Sequence, residues 1–97
     1  MKGYPKAPFF YGHAVLSGAT KVVDSNPQRS GCIFINMSNI DIYFGDSAVT
    51  TSTGLLLLGV KGTGISIPTT GELWAIPASG NPTVSWMDVY HFMRTIV

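Results

Sequence analysis

Glycines at positions 45, 54, 62, 71 and 80 cut the second half of this chain into pieces of eight or nine residues. Most of them stand beside Ser, Thr, Asn or Asp, the residues that close turns. Turn signals at that spacing leave room for strands of about five residues and for no helix of ordinary length. Earlier breaks fall at Gly18, at Asn26-Pro27 and around Ser38-Asn39. Twenty-five of the 97 residues are Val, Ile or Thr, whose branched β-carbons suit pleated, half-buried positions. The pattern predicts an all-β fold, a small antiparallel β-sandwich of about seven or eight short strands.

Individual segments carry the period of two. Ile40, Ile42 and Phe44 alternate with Asp41 and Tyr43, Ile65 and Ile67 flank Ser66, and Val84 and Trp86 alternate with Thr83 and Ser85. Cys32-Ile33-Phe34-Ile35 is apolar on both faces, which predicts a central strand or one covered on both sides. Trp74 and Ile76, alternating with Leu73 and Ala75, mark another strand with little polar surface. Ala14 to Ser17 and Thr20 to Val23 read as strands paired through a bend at Ser17-Gly18. Beyond Pro82 the chain is ambiguous, because Trp86, Val89, Tyr90, Met93 and Val97 also sit at helical spacing; strand to about Asp88 is the expectation.

Composition narrows the functional classes. The length fits one domain. Only 11% of residues are charged, against about 25% in ordinary domains. Such a chain either covers itself with Ser, Thr and Asn or gives part of its surface to partners. A net charge of +1 excludes a strongly electrostatic nucleic-acid binder. The longest aliphatic run, Leu55 to Leu58, is far short of the ~20 residues of a membrane span. No signal-peptide core follows Lys2, and the single Cys32 makes no intramolecular disulfide, so synthesis in a cytoplasm is expected.

The two ends differ from the body. Residues 1–11 form an aromatic arm that Pro5 and Pro8 bias toward extended backbone, residues 12–89 form the sandwich, and residues 90–97 form a tail. Arm and tail hold six of the eleven aromatics and three of the six basic residues, Lys2, Lys6 and Arg94, but none of the five acids. Burying such a side chain is worth about 1.5–3 kcal/mol, so the ends should lie against protein. Either they close the sandwich of their own subunit or they reach a neighbour. The residues expected to make these contacts are Tyr4, Phe9, Phe10 and Tyr11 at one end and Tyr90, Phe92 and Ile96 at the other.

Catalytic and metal-binding sets are absent from the pattern. Asp24, Asp41, Asp46, Glu72 and Asp88 are scattered, mostly in or beside turns, and read as solvated carboxylates rather than an acid–base pair. His13 and His91 are the only histidines, no Gly-x-Ser-x-Gly elbow occurs, and Cys32 lies in an apolar strand where a thiol packs. Two distant histidines and one cysteine give no zinc spacing. Gly59 to Gly64 lacks the Walker ending and reads as an inter-strand loop. Asn36-Met37-Ser38 matches a glycosylation sequon but lies in or beside a strand. Trp74 and Trp86 could stack on sugars, yet both sit on strands where core burial is expected. No enzyme, cofactor or metal follows from these residues.

The stretch from Arg29 to Asp88 does carry a resemblance. Ile35-Asn36-Met37-Ser38, Ile42-Tyr43-Phe44-Gly45, Val49 to Gly54 with its aliphatic patch, Ile65-Ser66-Ile67-Pro68, Glu72 to Ile76, and the Ser79-Gly80 turn into Val84-Ser85 are similar to segments of small β-sandwich proteins in the virions of tailed bacteriophages. The resemblance implies a non-enzymatic structural protein of the virion, made in the host cytoplasm. It implies a capsid decoration or cement protein that contacts the major capsid protein or other virion proteins and forms a homo-oligomer, with a trimer favoured. Tail or neck adaptors, and fibre modules that bind a receptor or glycan on an aromatic shelf such as Tyr43 or Trp74, are the alternatives it leaves open.

Overall fold

A computed structural model describes residues 10–90, and all its regular structure is β. The strands are β1 (Tyr11–Val15), β2 (Thr20–Val23), β3 (Gly31–Asn36), β4 (Ile42–Gly45), β5 (Leu55–Leu57), β6 (Gly64–Ile67), β7 (Leu73–Pro77) and β8 (Thr83–Val89). They form two four-stranded sheets with orders β1-β8-β3-β6 and β2-β7-β4-β5. Every pairing is antiparallel. This is the strand order of a jelly roll, two interlocked Greek keys folded face to face. The sandwich expected from the turn spacing is the observed architecture.

Chain connectivity explains one correction. Only β4 and β5 are consecutive strands of one sheet; every other connection crosses between sheets. β1 and β2 therefore make no hairpin. β1 pairs with β8 and β2 with β7, and the Ser17-Gly18 bend carries the chain across the sandwich. Gly18 takes φ 69° there, a left-handed conformation that costs a glycine little. Strand β1 also begins at Tyr11, a residue assigned above to the arm. β5, which the sequence showed only as a leucine run, is a short edge strand. β8 runs one residue past the expected end at Asp88.

Between the sheets lies the core. Phe34 of the first sheet meets Phe44 of the second with ring centroids 4.5 Å apart. Leu16, Ile42, Leu57 and Val84 pack around them at full or nearly full burial. The second sheet's inner face is apolar apart from Thr20, opposite Ala75 at its end, and carries Val23, Leu73, Ala75, Ile42, Phe44 and Leu57. The first sheet's inner face holds two polar side chains, Asn36 and Asp88. Asn36 donates its amide to the carbonyls of Ile40 and Leu58 and accepts from the Ser38 N–H, which closes the far end of the sandwich. Its burial removes the sequon from a glycosylating enzyme's reach in the folded state.

Candidate assembly interface

Strand alternation and register fix what the outer face of the first sheet presents. Across β1, β8, β3 and β6 one row reads Tyr11, Met87, Ile33, Ser66 and the next His13, Ser85, Ile35, Gly64. Val15 opposite Thr83, and Gly31 opposite Val89, flank them. No Asp, Glu, Lys or Arg stands on any of these positions. Tyr11 is 68% exposed and Val15 62%. Ile33 and Ile35 are half-buried by their own sheet alone. β3 is a central strand, as its two apolar faces required, and among the described residues no further sheet or helix packs on its outer side. The edge strand β1 also lacks the charge or proline that usually guards a sheet edge.

The outer face of the second sheet is mixed. Leu56, Tyr43 and Ile76 form one row, and Gly45, Trp74 and Lys21 the next. Lys21 pairs with Asp24 at 2.8 Å and reaches Glu72 at 4.0 Å, and Glu72 accepts the Trp74 indole N–H at 2.8 Å. The Lys21 ammonium holds the Asp24 carboxyl below its ordinary range, and the hydrogen bond between them raises the lysine. Trp74 is thus outside the core, contrary to the sequence expectation. Trp86 packs against the core from the inner face of β8, and Gly12 leaves space for it: a β-carbon there would stand 3.1 Å from the indole.

The aromatic ends divide between two places. Phe10, 48% exposed, turns inward with its ring 6.4 Å from that of Tyr90. Tyr11, the next residue, lies on the outer face of the first sheet. Tyr4, Phe9, Phe92 and Ile96 lie outside the described residues, as does His91.

Sequence reasoning missed a buried polar cluster beneath Phe10 and Tyr90. Arg29, on the β2–β3 connection, is 3% exposed. It donates to the carbonyls of Asp24, Thr69 and Gly71, tying that connection to the β6–β7 loop. Its guanidinium lies 3.6 Å from the Asp88 carboxylate. Asp88 is therefore not a solvated turn acid: it follows Val84 and Trp86 on the inward face of β8, where Arg29 neutralises it. The Cys32 thiol donates to the same carboxylate at 3.3 Å. Burial, reinforced by that hydrogen bond, pushes the thiol up to about 12. Asn26 donates to the Tyr90 hydroxyl at 2.8 Å and to Asp88 at 3.4 Å. The only sequence signal was the parity of Asp88 with Val84 and Trp86.

These groups hold the fold together and leave few reactive sites. The His13 ring lies 3.4 Å from the Ser85 hydroxyl, but no carboxylate shares that face to orient it. Among the described residues no group of three or more His, Cys, Asp or Glu could hold a metal. No protein-family model, curated protein or solved structure matches the chain.

Proposed function

We propose that this chain is a non-enzymatic structural protein of a virus particle, a capsid decoration or cement protein that assembles through the outer face of its first sheet. The observation that carries the assembly role is that uncharged face, with Ile33, Ile35, Met87, Val15 and Val89 exposed or half-buried on a fold that has few charges to spare. The virion reading is supported by the phage-like segments between Arg29 and Asp88. The jelly-roll order also recurs in capsid domains, but in lectins and cupins as well, so it raises the reading by analogy alone. Four strands about 4.8 Å apart and five residues long offer on the order of 300 Å² of face. A stable partner surface buries about 800 Å². The aromatic ends are the natural source of the remainder.

Two measurements test this. Ile35→Glu should leave the circular dichroism and unfolding midpoint of the purified chain near wild type while weakening self-association by roughly 100-fold or more in sedimentation. Ile76→Glu, on the other sheet, should change neither folding nor self-association. Equal association of the Ile35 variant and wild type would refute the interface. Quantitative mass spectrometry of purified particles tests the location: copies in the hundreds place the chain on the shell, a handful at one vertex in the neck or tail, and none removes the virion role.

The half-exposed pair Tyr43 and Trp74 supports a second reading, a receptor- or glycan-binding module using the second sheet. A glycan array with the full chain distinguishes it, since a decoration protein gives no signal there.

A further inference from the structure

The two ends of the described chain meet at an open edge of the sandwich. A cavity of about 540 Å³ there separates Phe10, Trp86 and Tyr90 from Val22, Val23 and the β2–β3 connection. Its buried polar side chains are already committed, while the exposed Ser25 and Gln28 stand at its rim. Arg29 is spent on three carbonyls and Asp88, and Asn26 on Tyr90 and Asp88. What remains for an occupant is mostly aromatic and aliphatic wall, with Ser25, Gln28 and the Lys21-paired Asp24 at the rim. An apolar, aromatic segment would find a match.

Residues 1–9 are such a segment, with Tyr4, Phe9, two prolines, Lys2 and Lys6, and no acid. We propose that the cleft is the seat for residues 1–9 of a second copy of this chain. Direction selects the second copy. The Asp88 N–H donates to the Phe10 carbonyl at 2.9 Å, extending the antiparallel β1–β8 ladder. At Phe10 the backbone therefore runs along β8 toward that strand's C-terminal end, in line with the first sheet rather than across the cleft. Nine residues reach about 30 Å when extended, enough to enter a copy seated on the adjoining outer face. The exchange deepens the assembly reading by naming where one arm lands.

The test uses the full chain with Ala7→Cys carrying a nitroxide. Cys32, buried and with its thiol held protonated, stays unlabelled at neutral pH. Unenriched spin-labelled copies are mixed with ¹⁵N-labelled wild type, so that only contacts between copies broaden a signal. The Trp86 indole and Asn26 carboxamide signals should lose intensity severalfold and recover when the nitroxide is reduced. Unchanged cleft signals, broadening elsewhere only, or a monomeric chain in the same sample would each overturn the exchange. Particle copy number is measured separately, so the virion reading can survive that failure.

Discussion

The two sheets handle polarity in opposite ways. The first is polar inside and blank outside: Asn36 and Asp88 lie on its inner face, while its outer face carries no charge. The second buries no polar side chain fully, only a half-buried Thr20 at its end, and is charged at its outer edge, with Lys21, Asp24 and Glu72 around Trp74. A sandwich that lived alone in water would gain from charge on both outer faces. On the assembly reading proposed above, the asymmetry divides the molecule into a wet side and a side offered to partners. The polar groups beneath the partner side fix the sandwich ends rather than the surface.

The sharpest way to break this comparison is to remove Arg29. Arg29→Ala leaves Asp88 buried and unpaired and releases three carbonyls, so it should cost about 3–5 kcal/mol in urea unfolding. The double variant Arg29→Met with Asp88→Leu should cost less than the single one, because no buried charge is then left alone. A loss under about 1 kcal/mol for Arg29→Ala would mean the polar interior of the first sheet is incidental.

A pH series probes the same cluster without deleting it. The Cys32 thiol ionises near 9.0 in an unfolded chain and at about 12 when folded. Folding therefore holds a proton that the unfolded chain releases. Its contribution is complete below about pH 9 and is lost as pH rises toward 12. The loss reaches at most about 4 kcal/mol across that window. Cys32→Val should flatten the alkaline slope of the unfolding midpoint. An unchanged slope would show that the thiol is not shielded as its burial implies.

Local rules made much of the fold legible. Alternation in Ile42–Phe44, Ile65–Ile67 and Val84–Trp86 gave strands with the correct inward faces, and Cys32–Ile35 gave a central strand. The rules failed where pairing is non-local. Ser17-Gly18 looks like a hairpin from within the chain, but the partners of β1 and β2 lie about seventy and fifty residues away, at β8 and β7. No turn residue encodes that distance. Trp74 was misplaced for a related reason: its strand's parity was visible, yet which parity faces inward depends on a neighbour in another part of the chain. Asp88 shares the inward parity of Val84 and Trp86, but the Arg29 that lets a carboxylate lie there comes from a distant connection. The proposed contact face was less legible: Cys32–Ile35 read as apolar on both faces without showing which pair points outward, and Met87 and Val15 join Ile33 and Ile35 only through the register.

The smallest effect belongs to the second sheet's edge. Lys21 and Asp24 are exposed, so their attraction is shared with water and salt and contributes little to folding. Lys21→Ala should leave the unfolding midpoint within experimental scatter at any ionic strength. Its consequence should appear in association instead. Without the ammonium, the row of Trp74 and Gly45 joins that of Ile76, Tyr43 and Leu56 as one larger apolar surface, and the wet side comes to resemble the partner side. Sedimentation should then show higher-order species that wild type lacks, and these should persist when Ile35→Glu is added, because they use the other sheet. If Ile35→Glu dissolved them, both faces would be acting through one interface and the division between the sheets would be wrong.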